Sequence, residues 1–151
     1  MASVLVDSNI LLRSVQPAHP QFPIASAALA DLLRRNVDLC VARQNLVEFW
    51  VVATRPLANN GLEMNPATVA GEIRELRTVF RLLEGMPGVA DTWERLVGKH
   101  LVSGKQAHDA NLVATMLVHG VTRILTFNGD DFRRYASVEV IAPASVSTMN
   151  P

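Results

Sequence analysis

The chain has 151 residues, no net charge at neutral pH and a hydrophobic fraction of 49%. That length suits one domain with a proper core, residues 1–151 being read as a single unit. No apolar run reaches bilayer length, and the lone cysteine, Cys40, excludes a disulfide framework and a cysteine zinc site.

In chain order, Val4–Val6 is a β-branched and aliphatic run that reads as a buried first strand, and Asn9–Val15 as a short helix closed by Gln16-Pro17. From Pro23 onward, Ile24, Ala27, Ala28 and Leu32 recur at helical spacing as far as Arg35-Asn36. Val37–Val41 follows as a second strand, and Gln44–Thr54 as a helix that stops before Arg55-Pro56. Asn59-Asn60-Gly61 is a turn. Asn65-Pro66, a cap followed by proline, opens a long helix predicted to reach Glu84 through Val69, Ile73, Leu76, Phe80 and Leu83. Gly85-Met86-Pro87-Gly88 breaks it. A helix over Thr92–Leu101, a loop at Gly104, and a helix carrying Asp109 as far as His119-Gly120 come next. Arg123–Thr126 and Val138–Ile141 are the closing strands. This alternation predicts an α/β sandwich around a central parallel sheet of four to five short strands.

The acids stand out against this background. Asp7 follows Val4-Leu5-Val6, Glu48 lies within Leu46-Val47-Glu48-Phe49-Trp50, and Asp109 sits in His108-Asp109-Ala110. Asp130 and Asp131 follow Thr126-Phe127-Asn128. Desolvating a lone carboxylate costs several kcal/mol or more, so acids in apolar settings need a partner. In open parallel sheets ligands sit beyond the carboxyl ends of strands, where Asp7 and Thr126 fall. Each acid alone has a plain structural explanation: Asp7 and Asp109 as helix caps or first-turn acids, Glu48 as an outward-facing helical residue, Asp130 and Asp131 as a turn pair. Together they point to one shared charge sink, most simply a divalent metal. Setting four acids aside for it leaves ten against 14 bases, twelve of them Arg, and hence a mildly basic remaining surface.

These residues resemble the PIN domains, in particular the toxin ribonucleases of the VapC type, across nearly the whole chain. The opening acid with a small hydroxyl residue and Asn is similar to Asp7-Ser8-Asn9, and the glutamate after the second strand to Glu48. The helical aspartate is similar to Asp109, and the closing motif to Thr126-Phe127-Asn128 with Asp131-Phe132. The resemblance implies a three-layer α/β/α sandwich that is usually dimeric. It also implies hydrolysis of RNA with Mg²⁺ or Mn²⁺ held by Asp7 and Asp109, with Glu48 binding it directly or through water and orienting the nucleophile, and Ser8, Asn9 and Thr126 supplying hydrogen bonds or phosphate contacts. Many members carry aspartate where Asn128 falls. Asn128, Asp131 and, less favourably, Asp130 therefore compete for the fourth position, and whether one metal or two is bound stays open. An antitoxin of the VapB type is the implied partner.

The remaining residues read more plainly. His19, His100, His108 and His119 show no paired ligand spacing, Cys40 is a small core residue, and Trp50 and Trp93 are assigned to the core. Arg74, Arg77 and Arg81 share a face of the long helix, interleaved with Glu72 and Glu75. Met1-Ala2-Ser3 lacks a basic leader, so a cytoplasmic protein is expected, with spare apolar surface for a partner or a second copy. Two other functions compete: a catalytically weakened module that binds RNA or protein, and a haloacid-dehalogenase-type phosphatase. The latter wants a second Asp where Asn9 stands.

Overall fold

The computed structural model describes residues 3–150. Five strands, β1 (Ser3–Val6), β2 (Asp38–Ala42), β3 (Arg81–Leu83), β4 (Arg123–Leu125) and β5 (Glu139–Ile141), form one parallel sheet in the order β3-β2-β1-β4-β5. Six helices cover it: α1 (Ser8–Ser14), α2 (Phe22–Arg34), α3 (Arg43–Thr54), α4 (Pro66–Val79), α5 (Val89–His100) and α6 (Gln106–Val118). The strands bury side chains alternately on both faces, the period-two rule of extended chain. Val4, Val6, Leu39, Val41 and Leu125 pack against α1 to α4 with Ile10, Leu32, Phe49 and Leu76. Leu5, Cys40, Ala42 and Ile124 face the other way, against Ala110, Leu112, Val113 and Met116 of α6 and the buried Phe132 and Tyr135. The result is the expected α/β/α sandwich. No helix among the described residues is long and apolar enough to cross a membrane.

The long helix predicted to reach Glu84 is shorter. It stops at Val79, Phe80 turns extended (φ −102°, ψ 135°), and Arg81–Leu83 pairs with β2 as an edge strand. Without that strand, β2 would leave backbone donors and acceptors unpaired beside a buried core, which costs more than ending a helix early. Leu83 is buried either way, so hydrophobic spacing could not separate the two readings. Arg81 is accordingly off the face shared by Arg74 and Arg77. It bonds the Asp38 carboxylate at 2.7 Å, and with Ser3 holds that carboxyl down at about 2.

Trp50 also departs from expectation. It is 37% exposed, as Val47 and Val51 of the same helix are exposed at the cleft, while Phe49 alone of that run is fully buried. Trp93 does pack against the second core and donates its ring N–H to the Ala107 carbonyl.

Candidate metal centre

The strand order reverses direction at β1: the chain leaves it for β2 on one side and returns to β4 on the other. The carboxyl ends of β1 and β4 therefore open onto the divergence point where ligands of such sheets bind. Asp7 and Thr126 are the residues immediately after those two strands.

Asp7 is 8% exposed and caps α1, its Oδ1 accepting the Ser8 backbone N–H at 2.8 Å. Its Oδ2 accepts the Thr126 hydroxyl at 2.8 Å and, at 3.4 Å, the Asn9 side-chain amide. Asn9 in turn donates to Thr126 Oγ1 and accepts from the Phe127 backbone N–H. Thr126 Oγ1 also accepts from the Asn128 N–H, so one buried hydroxyl ties Asp7 to the start of the closing loop. The capping role of Asp7 and its place in the cleft are thus properties of one conformation.

Glu48 is half-buried on α3. Its Oε2 accepts the Ser8 hydroxyl at 2.7 Å, and its Oε1 the Gln44 amide at 3.0 Å. Beneath it, the fully buried Asn45 donates to Ser8 Oγ and accepts the Ala42 backbone N–H. Ser8, next to one acid in sequence, thereby positions another 40 residues away. Asp109, also half-buried, stands in the first turn of α6.

Asp7, Glu48, Asp109, Asp131 and Asn128 all line one cleft of about 1080 Å³, with Ser8 and Asn9 on its wall. Thr126 contributes from behind Asp7 and lines an adjoining hollow with Asn128, Asp130 and Asp131. The electrostatics follow from that crowding. Burial pushes the Asp7 carboxyl up to about 6, against the pull of Thr126 and Ser8, and the charges of Glu48 and Asp131 add to the rise. Asp109 is also raised to about 6, first by burial and then by the charges of Asp131, Asp7 and Glu48.

The two consecutive acids of the closing loop are separated. Asp131 lines the cleft and its charge reaches Asp109, whereas Asp130 is 93% exposed, pairs with Arg133 and does not line the cleft. Both belong to a short 3-10 turn, Gly129–Asp131. Asn128 precedes it and is exposed at the cleft.

Sequence reasoning passed over Gln44, Asn45 and Asn111, which knit the walls of the cleft together. The four-residue spacing of Gln44 and Glu48 on one helix was the available signal. Arg43, Arg55, Lys105 and His108 are further cleft residues, and they bring positive or titratable groups to an otherwise acidic opening. His119 closes α6 and its ring nitrogen bonds the Glu84 carbonyl, away from the acids.

Among the described residues no three His, Cys, Asp or Glu side chains are already gathered as a cage for an ion. The donor set nevertheless fits a hard cation. Every candidate ligand is an oxygen, and two carboxyls carry charge repulsion that a cation would relieve. Mg²⁺ keeps several waters and needs only one or two direct carboxylates, so splayed acids suit it better than they would suit zinc.

Comparison with known proteins agrees with this architecture. Among curated proteins none matches the sequence. Among solved structures, a chain of FitAcB from Neisseria gonorrhoeae is similar with a TM-score of 0.70 at 20% identity, covering 93% of this chain and 97% of that one. A chain of VapBC-1 from nontypeable Haemophilus influenzae gives 0.69 at 14% identity, covering 93% and 97%. VapC20 of Mycobacterium tuberculosis, a toxin that cleaves the sarcin-ricin loop, gives 0.64 at 22% identity, covering 88% and 95%. The PIN domain profile matches residues 4–138, and the chain therefore belongs to the PIN domain family.

Proposed function

We propose that this protein is a divalent-metal-dependent endoribonuclease, a single catalytic domain acting as the toxin of a toxin–antitoxin pair. The observation that carries the reading is the convergence of Asp7, Glu48, Asp109 and Asp131 on one cleft at the sheet's divergence point, with two of them raised to about 6. Membership of the PIN family and the likeness to VapC, VapBC and FitAcB structures support it.

Asp7 and Asp109 would hold the cation directly, with Glu48 and Asp131 beside them and Asn128 offering a neutral carbonyl oxygen. When bound, Mg²⁺ or Mn²⁺ supplies positive charge at the phosphate and lowers the pKa of water. The chain's own groups do the rest. Glu48, fixed by Ser8 and Gln44, accepts a proton from the attacking water. Thr126, Asn9 and the Ser8 backbone N–H hold the Asp7 carboxylate in one orientation. Arg43, Arg55 and Lys105 give the RNA backbone cationic contacts along the cleft. Val47 and Val51, exposed on the α3 wall of the cleft, offer with the exposed Trp50 an apolar seat for an antitoxin segment or a second copy of the chain. The setting of such a pair is cytoplasmic.

The test is cleavage of RNA by the antitoxin-free protein with Mn²⁺, its loss with EDTA and its absence in Asp7→Asn. Intact RNA across varied substrates would reject the nuclease. Retained RNA binding without cleavage would then favour the alternative of a weakened binding module, which Asn128 in place of an acid makes worth testing.

A further inference from the structure

Gln44 occupies an unusual place in the cleft. It lies one turn before Glu48 on α3, and its Nε2 donates both to Glu48 Oε1 at 3.0 Å and to the His108 carbonyl at 2.8 Å. Its Oε1 accepts from Asn111 Nδ2 at 2.7 Å. His108 and Asn111 flank Asp109 on α6, so one amide spans the two helices that carry Glu48 and Asp109.

The orientation of this amide is fixed by its surroundings. Turned over, it would set its oxygen against a carboxylate and a carbonyl, and its NH₂ against the amide donor of Asn111. Both of its N–H donors and one lone pair of its oxygen are thus committed. Glu48 is committed as well, with Oε2 on Ser8 and Oε1 on Gln44. Its carboxylate cannot rotate without breaking one of these bonds.

We infer that Gln44, locked by Asn111, is a positioning residue: it fixes the Glu48 carboxylate and sets the distance between the α3 and α6 walls of the metal-binding cleft. The inference rests on the nuclease reading only for its effect on turnover; the bridge itself is a property of the chain. Groups that orient metal-site carboxylates typically matter by about 10- to 100-fold in metal affinity or activity.

The test uses the full-length protein and three measurements. In the metal-free protein, the Gln44 side-chain NH₂ resonance, identified by its loss in Gln44→Met, should exchange with solvent about tenfold more slowly than that of the exposed Asn59, and should lose this protection in Asn111→Ala. Calorimetry with Mn²⁺ should show affinity about tenfold weaker in Gln44→Met. Turnover of RNA should fall by a similar factor, about tenfold, with KM unchanged within about twofold. Asn111→Ala should have a smaller effect in the same direction, and the double variant should be no worse than Gln44→Met alone. An NH₂ that exchanges as freely as that of Asn59 overturns the bridge. A protected NH₂, with Mn²⁺ affinity and turnover both unchanged in Gln44→Met, overturns the positioning role. A wild-type protein that binds Mn²⁺ but cuts no RNA rejects the nuclease reading, while the exchange and affinity results still decide this one.

Discussion

Replacing Asp7 by Asn should stabilise the metal-free protein while abolishing its activity. Between the unfolded value of 3.8 and about 6, the native protein holds a proton on Asp7 that the unfolded chain has released. Stability therefore falls as pH rises across that window and remains reduced above it. The rise from 3.8 to about 6 in this nearly buried group corresponds to about 3 kcal/mol. Asn keeps an oxygen for the Ser8 N–H but turns an NH₂ toward Thr126, and this loss of an acceptor takes back about 1–2 kcal/mol. A net gain of about 1–2 kcal/mol is expected at pH 8, reversing to a deficit near pH 4, where the wild-type carboxyl is neutral. Urea unfolding in EDTA at pH 8, 6 and 4 measures this directly. With Mn²⁺ the ranking should invert, since only the wild type gains from binding. If Asp7→Asn is destabilised equally at pH 8 and pH 4, Asp7 carries no uncompensated charge and the argument for a cation there fails.

Other expectations follow from the same geometry. Asp131→Asn removes a charge that helps raise Asp109, so the acid limb of the pH–rate profile should move to lower pH; a limb that stays in place would remove Asp131 from the electrostatics of the site. Thr126→Val takes a hydrogen bond from a buried carboxylate and should cost about 1–3 kcal/mol in denaturant unfolding, with the acid limb moving upward. Protons and cation compete for Asp7 and Asp109, so Mn²⁺ affinity measured by titration should weaken as pH falls through about 6. Lys105→Ala should raise KM for RNA and flatten its salt dependence with little change in kcat; an unchanged KM would remove Lys105 from the phosphate path.

The layers and much of the cleft's membership are legible along the chain. Short unbroken apolar runs such as Val4-Leu5-Val6 mark strands buried on both faces, and the helical spacing between them leaves little choice but a parallel sheet. Asp7 was legible because a strand end is a fixed place in such a sheet, whatever surrounds it. Glu48 is legible only in part. Leu46 and Phe49 beside it join the core, Val47, Trp50 and Val51 are exposed, and what sets it apart is its grip by Ser8 and Gln44. The end of α4 was not legible, because Phe80 and Leu83 satisfy a helix and a strand alike, and only the open edge of β2 decided between them.

Only the folded chain sets Asp130 and Asp131 apart. They are adjacent in sequence, equal in chemistry, and turned apart by a 3-10 turn that gives one to Arg133 and the other to the cleft. The fold alone brought Gln44 to His108 and Asn111, across more than 60 residues of chain. Hydrophobic patterning is a local property and can be read along a line, whereas a hydrogen bond between two helices depends on how both sit on the sheet.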